Sequence, residues 1–139
     1  MIQEPMRSML KQLIGITDED MDRLSPGVQR MLSAAPQVMG HKIIAEVIDS
    51  KYCAAGVKVG DKVVIGPGGG TVNAEESTCP LCIGLLAPLM PHVYLVWERL
   101  VEGLDSNEMI SPYGECHDTG LEHGGLGKVH FKVYTEKVG

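Results

Sequence analysis

The spacing of apolar residues changes at about residue 41, and this change limits the possible folds more than any other feature of the chain. Before it, apolar residues recur every three or four positions, as on one face of a helix, at Met6, Met9, Leu10, Leu13 and Ile14. After it, the segment KIIAEVID alternates in steps of two, with apolar residues on both faces. Such alternation predicts a well-covered strand beginning near His41. Helices followed by strands indicate the α+β class.

The first forty residues carry repeated signals for helix ends. Gly15 is placed to stop the first helix, and Thr17 is followed by three acidic residues that favour a helix start. Ser25 and Pro26 predict the start of a further helix, because serine is a good N-cap and proline fits the first helical position. Residues 1–40 are therefore predicted to form a helical arm. Residues 41–139 are predicted to form an α+β domain with a cysteine site, and the two together one globular unit.

Two further strands are expected after the first. A turn at Gly60 and Asp61 leads into a predicted strand over 62–65, and the alternating segment KVHFKVYTEKV predicts another over 128–138. Together with the first strand they indicate a small antiparallel sheet of about three strands. Residues 105–127 contain several glycines and scattered polar residues, and are predicted to be a loop.

The longest apolar stretch, residues 79–97, is interrupted by prolines. Pro88 and Pro91 each remove a backbone donor and clash with the preceding turn, so one straight helix is not expected. A kinked central helix is expected, with its two pieces meeting near these prolines and its second piece packed across the sheet. The same prolines, with His92, argue against a membrane span.

Composition excludes some classes of function. The 139 residues carry a net charge of −6, and the basic residues are scattered, so nucleic acid is not an expected ligand. The N-terminal residues lack the apolar run of an export signal, so a cytoplasmic location and no membrane partner are expected. In a reducing compartment, four cysteines are better interpreted as metal ligands or catalytic thiols than as disulfides.

The cysteines follow the spacing C-x25-C-x2-C-x33-C. Cys79 and Cys82 flank a proline expected at the first position of a helix, where two thiolates can share one metal ion. Cys53 follows the first strand and Cys116 lies in the glycine-rich loop, so an antiparallel sheet can bring both to the same edge. We therefore expect all four to bind one metal ion or an iron–sulfur cluster. Zinc and iron–sulfur remain equal candidates for the cofactor.

The loop around Cys116 is dense in groups that bind metals or transfer protons. His117, Asp118 and His123 are the candidate catalytic residues in this loop, because they would lie beside the metal. If all four thiolates bind, the site is closed and structural or electron-transferring; if His117 or water takes one position, it is open for catalysis. The alternative is a solvated polar turn, in which histidine and aspartate are ordinary residues.

Three other interpretations of the chain remain open. The segment Cys-Pro-Leu-Cys resembles the active-site segment of glutaredoxins and thioredoxins, which implies a thiol–disulfide oxidoreductase using Cys79 and Cys82, although the βαβ unit of those folds is missing. Alternatively, the cysteines are inert buried thiols. A third possibility is an accessory subunit that forms a homo-oligomer or joins a larger protein complex through the N-terminal helices, whose methionines are Met6, Met9, Met21, Met31 and Met39.

The order of elements resembles a small prokaryotic family of proteins with no assigned activity. The matching segments are EVIDSKYC, KVGDKVVI, CPLCIGLLAPLMP, ECHDTG and KVHFKVYTE, which together span residues 42–137. Cys53, Cys79 and Cys116 match the cysteine positions of that family, whereas Cys82 is not carried over. The resemblance implies a compact α+β unit with a cysteine site.

Overall fold

The computed structural model describes residues 1–138, and it confirms the predicted α+β class. Four helices come first, followed by two strands, two further helices and two more strands. Their bounds are α1 Met6–Ile14, α2 Asp18–Arg23, α3 Pro26–Ser33, α4 Ala35–Met39, β1 His41–Lys51, β2 Lys62–Ile65, α5 Ile83–Leu86, α6 Leu89–Val101, β3 Tyr113–Glu115 and β4 Lys128–Lys137. Two short 3₁₀ helices, Ser106–Glu108 and Leu121–His123, lie on either side of β3.

The end of α1 and the starts of α2 and α3 lie where the sequence predicts, whereas α3 ends at Ser33 and the separate helix α4 was not predicted. Gly15 takes a left-handed conformation after α1, and its amide donates to Lys11. The hydroxyls of Thr17 and Ser25 accept backbone amides in the first turns of α2 and α3. The arm has a small apolar cluster of its own, whose buried members are Ile2, Leu10 and Met21.

A four-stranded antiparallel sheet in the order β2-β1-β4-β3 forms the second half of the chain. The central pair, β1 and β4, is in register at Ala45 and Val133. Side chains directly opposite each other share a face, so one face of this pair is a continuous apolar row. Helix α6 packs on that row through Val93, Val96 and Leu100, and together they form the main core.

The central helix is kinked as predicted. Its two pieces, α5 and α6, are separated by Ala87 and Pro88. Pro91 is tolerated because it lies in the first turn of α6, where a backbone amide has no partner within the helix. Helix α6 is the longest helix, with 13 residues, and no helix within residues 1–138 has the length and apolar character needed to cross a bilayer.

Strand β3 was not predicted, because residues 105–127 were expected to be a loop throughout. It pairs Gly114 with Phe131 of β4 at the edge of the sheet. A Cβ atom on Gly114 would lie 2.4 Å from the Phe131 ring, so only glycine lets β3 approach this closely. The glycine that suggested a loop is therefore the residue that allows the strand.

Candidate functional site: a cavity lined by cysteines

Cys53 is positioned by an unusual turn at the end of β1. The preceding residue, Tyr52, has a φ of 53°, a left-handed conformation that non-glycine residues seldom adopt. Gly127 packs against the carbonyl of Tyr52, since a Cβ atom on this glycine would lie 2.3 Å from that oxygen. The turn therefore directs the chain at Cys53 against the first residues of β4.

Cys116 follows β3 and is held by β4. Its amide donates to the carbonyl of Val129 at 2.9 Å, and the amide of Val129 approaches the Cys116 sulfur at 3.3 Å. This pair of contacts fixes both the backbone and the thiol of Cys116 beside the strand.

Cys82 is the N-cap residue of α5, and its carbonyl accepts the amides of Leu85 and Leu86, both at 3.0 Å. The amide of His117 donates to the carbonyl of Gly84 at 2.8 Å, which ties the Cys116 segment to this helical turn. The expected helix start at Pro80 is wrong. Cys82 donates its amide to the Pro80 carbonyl at 2.9 Å, forming a tight turn before a helix of only four residues.

These three placements bring three thiols to one cavity. Cys53, Cys82 and Cys116 all line a cavity of about 130 Å³. The three residues come from the end of β1, the start of α5 and the segment after β3, so the fold gathers them from distant parts of the chain. Much of the remaining wall is apolar, with Ala54, Ala55, Val57, Leu85 and Val129 among its residues.

Cys79 does not line this cavity but belongs to the main core, with 6 % of its surface exposed. Its thiol donates to the carbonyl of Pro80 at 3.3 Å. Burial raises the pKa of Cys79 to about 11, and negative charge on Asp61, Cys53 and Cys82 adds to the effect.

All four cysteines are free thiols. Within residues 1–138, no group of three or more His, Cys, Asp or Glu side chains is already arranged to hold a metal ion. The fold thus gathers the thiols into one region without placing their sulfur atoms in a ligand geometry.

The three candidate catalytic residues lie in different environments. Asp118 lines the cavity, but its carboxylate accepts the amides of Gly120, Leu126 and Gly127 at 2.9 to 3.1 Å. These hydrogen bonds lower the pKa of Asp118, with the Gly120 amide contributing most. The carboxylate therefore organises the loop.

The two histidines lie outside the lining of the thiol cavity. The His117 side chain is exposed, and only its backbone amide takes part in holding the Cys116 segment. His123 is exposed in a 3₁₀ helix and lines a neighbouring cavity of about 250 Å³ with Tyr52 and His130.

Lys128 is a cavity residue that the sequence did not single out. Its ammonium donates to the carbonyls of Cys116 and Asp118 and lies 3.5 Å from a carboxylate oxygen of Glu115. It places a positive charge at the backbone of the Cys116 segment, where the Glu115 carboxylate partly balances it. The sequence around Lys128 does not indicate this contact, because it depends on how the segment between β3 and β4 folds back onto the start of β4.

Comparisons of the chain with protein-family models, with curated proteins and with solved structures find no significant match.

Proposed function

We propose that the protein binds a thiophilic metal ion, zinc or the iron of an iron–sulfur cluster, through Cys53, Cys82 and Cys116, with Cys79 as a fourth ligand. The observation that carries the proposal is that three cysteines from separate chain segments line one cavity. Packing of the core does not require cysteines at these three positions, because apolar side chains could line the same cavity wall. Thiolates are the preferred ligands of zinc and of iron–sulfur clusters.

Metal binding would require the cavity thiols to change their side-chain rotamers. Four thiolates around a tetrahedral zinc ion have sulfur atoms about 3.8 Å apart, given zinc–sulfur bonds of about 2.3 Å. A change between staggered χ1 rotamers moves a cysteine sulfur by about 3 Å. A rotamer change at each cysteine is therefore the kind of movement that would bring thiols sharing a cavity toward one metal ion.

Metal binding at Cys79 would have to displace the proton of this thiol. A raised pKa of about 11 means that about one Cys79 side chain in ten thousand is ionised at pH 7 without a metal. A bound cation would supply the positive charge that stabilises the thiolates, and binding would release protons. The ammonium of Lys128 beside Cys116 offsets part of the remaining negative charge.

The same raised pKa disfavours the thiol–disulfide alternative with Cys79 as attacking residue. Exchange requires a thiolate, and reactive cysteines of this type have lowered pKa values. Cys79 is also buried, whereas the attacking thiol of an exchange enzyme must reach its partner.

Metal analysis of the purified protein tests the proposal. Protein purified without oxygen is expected to contain about one zinc ion per chain, or iron and sulfide with visible absorption bands. Cys82→Ser and Cys116→Ser should lose most of the bound metal, while Ala54→Ser, a change in the same wall that keeps every thiol, should retain it. Equal metal content in all three variants would contradict the proposal.

A cobalt-substituted sample decides whether Cys79 is the fourth ligand. The intensity of the thiolate-to-cobalt charge-transfer band rises with the number of thiolates bound to the metal. We expect Cys79→Ser to lower this intensity by about one quarter if four thiolates bind. An unchanged band would restrict the ligands to the three cavity cysteines.

A second candidate function is that of an accessory subunit, which the apolar surface of the N-terminal helices favours. Leu13 and Ile14, at the end of α1, are 66 % and 64 % exposed. We propose that a homo-oligomer or a larger complex forms through this end of the arm. Leu13→Glu with Ile14→Glu should reduce an oligomer measured by light scattering, and Val59→Glu, at another exposed site, should not. A wild-type chain that is monomeric at all concentrations would exclude the homo-oligomer.

A further inference from the structure

The outward side of the two central helices is apolar, although it faces solvent. Residues 79–97 contain no charged side chain. The exposed residues from α5 to the middle of α6 are spaced so that they share one side of the helices, and we call them the outer stripe. They are Ile83, Ala87, Met90, Pro91, Tyr94 and Leu95. A surface helix normally carries polar side chains opposite its core, so a helix with two apolar sides indicates a missing partner.

The outer stripe is large enough to form an interface. Ile83, Met90 and Tyr94 are 83 %, 46 % and 58 % exposed. With ordinary areas of about 150 to 250 Å² for side chains of this size, the stripe presents on the order of 500 Å² of apolar surface. A patch of this size is at the upper end of the range for monomeric proteins. Two such patches facing each other bury about 1,000 Å², which is the least that a specific interface needs.

A groove lies at the end of the outer stripe. It has a volume of about 410 Å³, and its apolar walls come from α6 and from α3 of the arm. The Tyr94 and Trp97 rings form one side, in edge-to-face contact at 5.6 Å between centroids. The charged groups at its rim are paired with each other, because Arg30 lies 3.0 Å from carboxylate oxygens of both Glu98 and Glu102. The groove therefore suits an apolar side chain better than a charged ligand.

The stripe and the groove together are self-complementary. A two-fold interface requires each protruding group to meet a receiving surface of the same chain type, at an equal distance from the axis. Ile83, the most exposed member of the stripe, lies at one end, and the groove beside Val101 lies at the other. The point midway between them along the chain falls between Met90 and Tyr94. Two antiparallel copies with an axis at this point bring each Ile83 to the groove of the other copy.

We propose that two copies of the chain associate through the outer stripe, with their α6 helices antiparallel and each Ile83 in the groove of the other copy. A membrane surface is a poorer match, because the chain has a net charge of −6 and the end of the stripe carries Glu98 and Glu102. This dimer is independent of metal binding at the cysteines. It also uses a different surface from the end of the arm.

Sedimentation velocity of the full-length protein tests the proposal. The wild-type chain should form a dimer that dissociates on dilution. Met90→Glu with Tyr94→Glu should weaken dimer formation more than about a hundredfold, because like charges would face each other across the axis. Val59→Glu with Leu121→Glu is the matched control and should not change it, since both side chains are exposed and belong to neither helix. Circular dichroism equal to that of the wild type would show that each variant folds.

Charge reversal distinguishes a second copy from any other occupant. Met90→Lys with Tyr94→Lys should be monomeric alone, whereas an equal mixture of this variant with the glutamate variant should dimerise. Leu13→Glu with Ile14→Glu, at the end of the arm, should leave this dimer in place. A wild-type chain that is monomeric at all concentrations, a glutamate variant that still dimerises, a mixture that stays monomeric, or a dimer lost in the arm variant would overturn the proposal.

Discussion

Gly127 and Tyr52 are in direct backbone contact, because a Cβ atom on the glycine would lie 2.3 Å from the tyrosine carbonyl oxygen. Tyr52 itself takes a left-handed conformation. Neither backbone can yield easily, since one belongs to a strand end and the other to a strained turn. This contact fixes Cys53 relative to the start of β4, and hence relative to Cys116.

Gly127→Ala is expected to lower the free energy of unfolding by about 1 to 3 kcal/mol, the usual cost of overpacking a buried position. Urea denaturation under reducing conditions measures the change. Gly27→Ala is the control, because no atom lies within 4 Å of its Cβ position and it belongs to helix α3. This control should be neutral or more stable by up to about 1 kcal/mol. Equal stability of the two variants would mean that the contact at Tyr52 is not tight.

Asp118→Asn should lower the denaturation midpoint, because an amide oxygen is a weaker acceptor for three backbone amides than a carboxylate. Glu122→Gln, an exposed change in the same loop, should leave the midpoint unchanged.

The effect of Asp118 should also depend on pH. Its pKa is lowered in the folded protein, so the carboxylate stabilises the fold above the ordinary value of 3.8, and this stabilisation is lost as the pH falls through the lowered folded value. The wild-type protein and Asp118→Asn should therefore converge in stability in strong acid. A difference that persists unchanged there would assign the effect to something other than the charge.

Cys79 should make the metal-free protein sensitive to alkaline pH. Its pKa is raised from 9.0 to about 11, so the protonated thiol stabilises the folded state. This stabilisation is complete below pH 9 and is lost between pH 9 and 11. We expect a loss of about 1 to 2 kcal/mol, after allowance for solvent in the neighbouring cavity. Comparison with Cys79→Ala over the same range removes the contribution of lysines and tyrosines. Parallel pH curves for the two proteins would contradict the raised pKa.

Alkylation should distinguish Cys79 from the other cysteines. With a neutral maleimide at pH 7.5 and no metal, Cys79 is expected to react last, since its thiol is buried and protonated. Mass spectrometry of peptides after timed quenching gives the order. The comparison is the same reaction in mild urea, below the unfolding transition. Urea should raise the alkylation rate of Cys79 more than the alkylation rates of Cys53, Cys82 and Cys116. Early labelling of Cys79 would support an exchange-type thiol instead.

Helices α1, α2, α3 and α6 and three of the strands could be predicted because their signals are local, whereas the start of α5 and the separate helix α4 could not. Capping residues such as Thr17 and Ser25, and the alternation within β1 and β4, act over a few residues. Strand β3 could not be predicted, because it has three residues and depends on Gly114 fitting over Phe131, which is distant in sequence.

The candidate site was less accessible from sequence than the fold. The grouping of cysteines near one edge followed from strand order, but the burial of Cys79 depends on the core formed by other segments. The role of Asp118 depends on loop amides that the chain brings back around it, at Gly120, Leu126 and Gly127. The spacing of residue types does not encode such backbone partners.

The position of β4 has a consequence for the order in which the molecule matures. This strand is the last element of the chain, yet it lies between β1 and β3 and holds the Cys116 segment. During synthesis, Cys53 and Cys82 emerge long before the strand that brings the third thiol to them. A nascent chain therefore has no complete pocket to load until β4 has been synthesised, and any cofactor must arrive after that point.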